Sequence, residues 1–143
     1  MKKETKKQLL IGAALVLELL LLLLYLNGRI NKLLDSDMSS EMILGQLLAR
    51  NNGILSDQWY YSTELRVLNT QLIYALFFRL SSNWHFVRMA STLVLWCVLI
   101  ASYGVLCRVM GCKKSFGVTA LLLAAPVSES YFRFVLAGVY YVP

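Results

Sequence analysis

The chain has 143 residues, 58% of them hydrophobic and only 15% charged, against roughly 45–50% and 25% in a soluble domain. The apolar residues are gathered into runs, so the surplus is not that of a large soluble core. The net charge of +6 lies beside those runs rather than in a patch interleaved with aromatics, which argues against a nucleic-acid partner and for a membrane.

Residues 1–7 hold Lys2, Lys3, Lys6 and Lys7 and form a basic leader to the first apolar run. Residues 8–26 follow almost without polarity, with an unbroken leucine run from Leu19 to Leu24. At about 1.5 Å per residue this stretch comes close to the ~30 Å hydrocarbon core. A cleavable signal would have a shorter apolar region and a small-x-small site. Tyr25-Leu26-Asn27-Gly28-Arg29 stands there instead, so a retained signal anchor is expected. Glu18, near its middle, costs about 2.5–3.5 kcal/mol on insertion scales. The surrounding leucines outweigh it at about −0.3 to −0.6 kcal/mol each. Its carboxyl is expected to be neutral, or hydrogen-bonded to a partner such as Ser102.

Residues 27–88 differ in kind, holding Asp35, Asp37, Glu41, Asp57 and Glu64 and most of the turn formers. Two helices are predicted here. The first starts near Asp37 or Ser39, either of which can cap it. It runs to about Arg50 with Met38, Met42 and Leu48 as a partial apolar stripe, and ends at Asn51-Asn52-Gly53. The second runs from Ser62 or Thr63 to about Leu80. Leu65, Leu68, Leu72 and Leu76 fall on one of its faces, which suits the membrane surface better than a crossing.

Residues 89–109 form a second span, and residues 110–114 a short basic connection with Lys113 and Lys114. Residues 115–143 are apolar again but broken by Pro126, Ser128-Glu129-Ser130 and Arg133, as one interrupted segment or two short helices. The sequence stops in mid-hydrophobic stride at Val142-Pro143, and continuation in a longer protein is expected. Lysines before the first span and Arg108, Lys113 and Lys114 after the second put both ends in the cytoplasm. Residues 27–88 are then external, and the chain is a multi-pass protein of the cell membrane. Cys97, Cys107 and Cys112 are odd in number and form no C-x-x-C pair, against a disulfide framework or zinc site. The two inside the apolar run, Cys97 and Cys107, are expected as small buried residues. The fold class expected is an all-α integral membrane protein, a multi-span helical bundle whose external loop bears two surface helices.

Three places could carry chemistry. Asp35-Ser36-Asp37 and Glu41 gather carboxylates just outside the first span. Asp37 and Glu41 share a helical face. The group could supply a general base or hold a divalent cation, or simply cap a helix and favour its positive end. No other cofactor is implied. Trp59-Tyr60-Tyr61 could stack on a sugar or form an interfacial belt. Glu64 and Arg66 beyond it could bind a hydroxyl and a phosphate, or be solvated charges. His85 lies between aromatics, as packed residues do. Arg88 and Lys32 could snorkel to lipid phosphate or hold the phosphate of a lipid-linked substrate.

This order resembles the N-terminal part of GT-C-type membrane glycosyltransferases, the group of protein O-mannosyltransferases and aminoarabinose transferases. The order is cytoplasmic lysines, a span, Asp35-Ser36-Asp37 opening an external loop, the aromatic Trp59-Tyr60-Tyr61 stretch and a returning span. The resemblance implies a polyprenyl-phosphate sugar donor and an inverting transfer. Asp35 or Asp37 would be the base, and Arg66 or Arg88 would meet the donor phosphate. It departs from the group in having Asp-Ser-Asp where many members show Asp-Glu, and in having room for only three or four spans. A second expectation is a small non-catalytic membrane protein that binds a partner through its external loop. A third is a transporter fragment with Glu18 and the broken region from Ser115 to Tyr141 lining its path.

Overall fold

The computed structural model describes residues 2–29, 34, 36–61, 70–112, 116–125 and 128–132. Every regular element among them is a helix: α1 (Lys2–Arg29), α2 (Ser36–Asn51), α3 (Thr70–Phe78), α4 (Trp84–Val109), α5 (Phe116–Ala124) and α6 (Glu129–Tyr131). Two are long and apolar enough to cross a membrane, Thr5–Arg29 within α1 and the whole of α4. Their 25 and 26 residues extend roughly 38 Å. The apolar run of α1 gives helix no reason to stop, and it passes both ends of the expected 8–26.

The second long helix begins five residues earlier than expected, at Trp84 rather than Met89. Asn83 explains the difference. Its backbone is extended (φ −77°, ψ 108°), and its Oδ1 accepts from the amides of His85 at 2.9 Å and Phe86 at 3.3 Å. Two otherwise orphaned donors are thereby satisfied. Trp84, His85 and Arg88 therefore belong to the long helix and not to the loop before it. At the far end Gly111 takes φ +73°, which lets Cys112 N reach back to Cys107 O at 2.9 Å, a Schellman closure.

Helix α2 agrees with its expected bounds. Met38, Met42 and Leu48 are all buried, as their spacing predicts. Asn52, at φ 50°, turns the chain so that Gly53 N bonds Leu48 O at 3.2 Å. Helix α3 departs from expectation. Its packed face is Thr70, Gln71, Tyr74 and Ala75, while Leu72 and Leu76 of the predicted apolar stripe face outward. The reason is Gly45, whose missing side chain admits α3 closely. A Cβ there would stand 2.7 Å from Tyr74 Cβ and 3.0 Å from Gln71 O. The rest of that predicted helix, residues 62–69, lies outside the described residues.

Helices α1 and α4 run antiparallel, joined near one end by His85 Nε2 and Asn27 Oδ1 at 2.8 Å. Helix α5 then runs alongside α1, with Gly117 against Ile11. Phe132 returns to the other end, edge-on to Tyr25 at 5.5 Å. The region after residue 115 is thus two short helices in the described residues. Leu22, Leu26, Met38, Trp96, Leu99, Ala124 and Phe132 make one apolar core where α1, α2, α4, α5 and the end of α6 meet.

Candidate functional site

Of the residues proposed to act, Glu41 and Arg88 come to one place. Met42, one position on from Glu41, packs with Tyr74 and Val87, so α2, α3 and α4 converge beside both charged side chains. Arg88 is only 2% exposed, and its Nη1 donates to Tyr74 Oη at 2.7 Å. The guanidinium also stands 5.9 Å from the centre of the Tyr74 ring, a cation–π distance. Thr70 Oγ1 donates to Glu41 Oε2. Burial pushes the Tyr74 hydroxyl above its ordinary pKa; Arg88 pulls it down and Glu41 pushes it up again. Carboxylate, hydroxyl, phenol and guanidinium thus form a polar cluster inside an otherwise apolar junction.

Asp37 lies in the first turn of α2, its side chain exposed one turn before Glu41. A carboxylate there favours the positive end of the helix. Asp35, Glu64 and Arg66 lie outside the described residues, as does Lys32. Among the described residues no three His, Cys, Asp or Glu side chains are grouped as a metal site.

The aromatic triplet separates. Trp59 and Tyr61 pack on Leu44, Leu48 and Ala75, and Tyr61 Oη accepts from Ser56 N at 2.9 Å. These two rings fasten the chain after α2 onto the α2–α3 pair. Tyr60 alone is turned out, at 93% exposure, beyond the exposed Ile54 and Leu55. Of the three, only Tyr60 is free to stack on a ligand. Arg88 likewise serves first to hold α3 on α4, since a snorkelling side chain would be exposed.

Sequence reasoning did not find Tyr74 or Thr70. Both sit on a helix whose leucine spacing pointed to a different face, and only the gap at Gly45 turns them inward. A cavity of about 320 Å³ lined by Gly104, Cys107, Arg108 and Phe116 opens at the opposite end of α4. Among the described residues, no carboxylate and no candidate residue lines it. Cys107 is buried, Cys97 and Cys112 are exposed, and all three are free thiols. The expectation that Cys97 would be buried is corrected, as it faces outward from α4. No protein-family model, no curated protein and no solved structure matches the chain.

Proposed function

We propose that the chain is the N-terminal part of a GT-C-type membrane glycosyltransferase, multi-pass in the cell membrane with its N-terminus in the cytoplasm. It transfers a sugar from a polyprenyl-phosphate donor on the outer face. The observation that carries the reading is the polar cluster of Glu41, Thr70, Tyr74 and Arg88. It stands where α2 and α3 pack on the end of α4 nearest Asn27 and His85, the end that charge bias puts outside. A buried guanidinium close to a half-buried carboxylate on the helix that begins Ser36-Asp37 is a costly arrangement for a loop that only links two spans. It makes sense as the rigid support of an acidic site at the membrane surface. Asp35 or Asp37 is the base that takes the acceptor proton, Arg66 meets the donor phosphate, and Tyr60 offers a face to a sugar ring. Asp35→Asn and Asp37→Asn in the full-length protein are expected to abolish transfer while membrane insertion is retained. Wild-type turnover in both variants would sink the proposal.

A second reading is favoured by a separate observation. Ile54, Leu55 and Tyr60 are 74%, 69% and 93% exposed on one connection between α2 and α3, an apolar tip suited to a partner protein. In that reading the chain is a non-catalytic membrane protein that binds through its external loop. Replacement of the three residues by serine then abolishes partner binding, and the aspartate variants behave as wild type.

A further inference from the structure

Three contacts set the relative depth of the packed helices. His85 meets Asn27 at 2.8 Å, and α1 and α4 are antiparallel. About nine residues (~13 Å) from Asn27 down to Glu18 correspond to the same rise from His85 down to Val94, within a turn of Trp96. Gly117 packs on Ile11 and Phe132 on Tyr25, with α5 parallel to α1. Glu18 is therefore level with Ala124, where α5 stops before a new helix starts at Glu129. Ser102, expected as a partner for Glu18, lies about two turns away along α4 and is exposed.

Unpartnered polar atoms collect at this level. Glu18 Oε2 and Trp96 Nε1 are both buried, and among the described residues neither has a hydrogen-bond partner. Trp96 is 8% exposed and packs in one core with Leu22 and Ala124, the neighbours of Glu18 on α1 and α5. Carbonyls at the end of α5 point along its axis toward the same level. Leu121 O accepts from Ala125 N at 3.1 Å and Leu123 O from the Tyr131 hydroxyl. A carboxylate beside the C-terminal end of an interrupted helix concentrates negative charge, which suits a cation.

We propose that Glu18, Trp96 and the end of α5 form a mid-membrane site for a small monovalent cation, a proton or Na⁺. The inference rests on α1 and α4 crossing the bilayer, as proposed above, and is independent of the glycosyltransferase chemistry. The Glu18 carboxylate and the α5 carbonyls face the cation. On ionisation of Glu18 the Trp96 N–H, unpaired among the described residues, turns to the carboxylate as its donor. By position along the described parts of α4, α5 and α6, Arg88, Cys97, Glu129 and Tyr131 are the other charged or titratable residues within roughly two turns of this level. Arg88 is engaged by Tyr74.

The test uses the full chain in liposomes and a membrane-soluble carbodiimide, which reacts with a protonated carboxyl buried in lipid. Modification of Glu18 is followed by peptide mass, with Glu18→Gln as the blank. Modification is expected to slow by about tenfold per pH unit once the carboxyl ionises. It is also expected to slow when Na⁺ replaces the bulky cation N-methylglucamine at fixed pH. A pH effect without a Na⁺ effect assigns the site to the proton, and both effects assign it to Na⁺ in competition with the proton. In Trp96→Phe the fall with pH is expected to move upward, because the ionised carboxylate loses its donor. Modification indifferent to pH and to Na⁺, or none at any pH, overturns the proposal. Alkaline carbonate extraction of the same membranes separately tests the crossing on which it rests, and release of the chain would overturn both.

Discussion

The Tyr74–Arg88 pair is the point at which the packing of α2, α3 and α4 can be weighed by experiment. Both side chains are at most 2% exposed and joined at 2.7 Å, so neither reaches solvent if the other is lost. A hydrogen bond to a charged group is worth about 1.5–3 kcal/mol. Tyr74→Phe keeps the ring beneath the guanidinium and removes only the hydroxyl, and is expected to cost about 2 kcal/mol. Arg88→Met should cost more. It strands the Tyr74 hydroxyl at about 1–3 kcal/mol, and Arg88 takes part in further interactions. In the double variant the stranded groups vanish together. The cost should then fall short of the sum of the two single variants by about 1–2 kcal/mol. Pulse proteolysis across a denaturant series in detergent micelles gives the three values. An additive double variant, within about 0.5 kcal/mol, would refute the view that the pair is one buried unit.

Other consequences follow from the same junction and from the ends of α4. Gly45→Ala sets a Cβ 2.7 Å from Tyr74 Cβ and is expected to cost about 1–3 kcal/mol of overpacking, lowering the thermal midpoint despite alanine's better helix propensity. An unchanged midpoint would mean that α3 is not held against α2. Asn83→Ala removes both N-cap hydrogen bonds of α4 and should cost about 0.5–2 kcal/mol, with amide exchange accelerated first at His85 and Phe86. For Tyr74, the phenol's folded pKa is raised from 10.0. Its contribution is therefore fully present below pH 10 and lost as pH rises through the folded pKa. Stability of Tyr74→Phe is expected to fall less steeply than that of wild type above pH 10. Parallel curves would contradict the burial of the hydroxyl.

Much of the helix content can be read directly from the residues. A leucine run flanked by lysines leaves little but a long helix, and the stripe of Met38, Met42 and Leu48 names its own buried face. The end of α2 at Asn52-Gly53 is also readable, because a positive φ favours those residue types. The start of α4 is not. Asn83 caps it through backbone amides, whereas Trp84, His85 and Arg88 resemble the polar edge of a loop. The face of α3 is misread for a different reason. Leucine spacing reports which face is apolar, not whether protein or lipid covers it, and beside a membrane those answers diverge. In the membrane setting proposed above, Leu72 and Leu76 meet lipid at no cost, which leaves the inward face for Gln71, Tyr74 and Ala75. Trp59 and Tyr61 show the same ambiguity in reverse, as aromatics suited to an interface are used to pin a loop.

The burial of Arg88 also bears on how the two functional readings divide. A donor phosphate at Arg88 would have to compete with the Tyr74 hydroxyl in a place that α3 covers. In the enzyme reading, phosphate recognition therefore falls to Arg66 or to a residue elsewhere in the protein, and Arg88 positions the acidic helix. Arg88→Lys separates these roles. Lysine keeps the charge but has no planar fork with which to satisfy several partners at once. If Arg88 only positions α2 and α3, the substitution lowers stability and turnover together and leaves the donor's KM unchanged. If it binds the phosphate, KM for the donor rises while the fold holds.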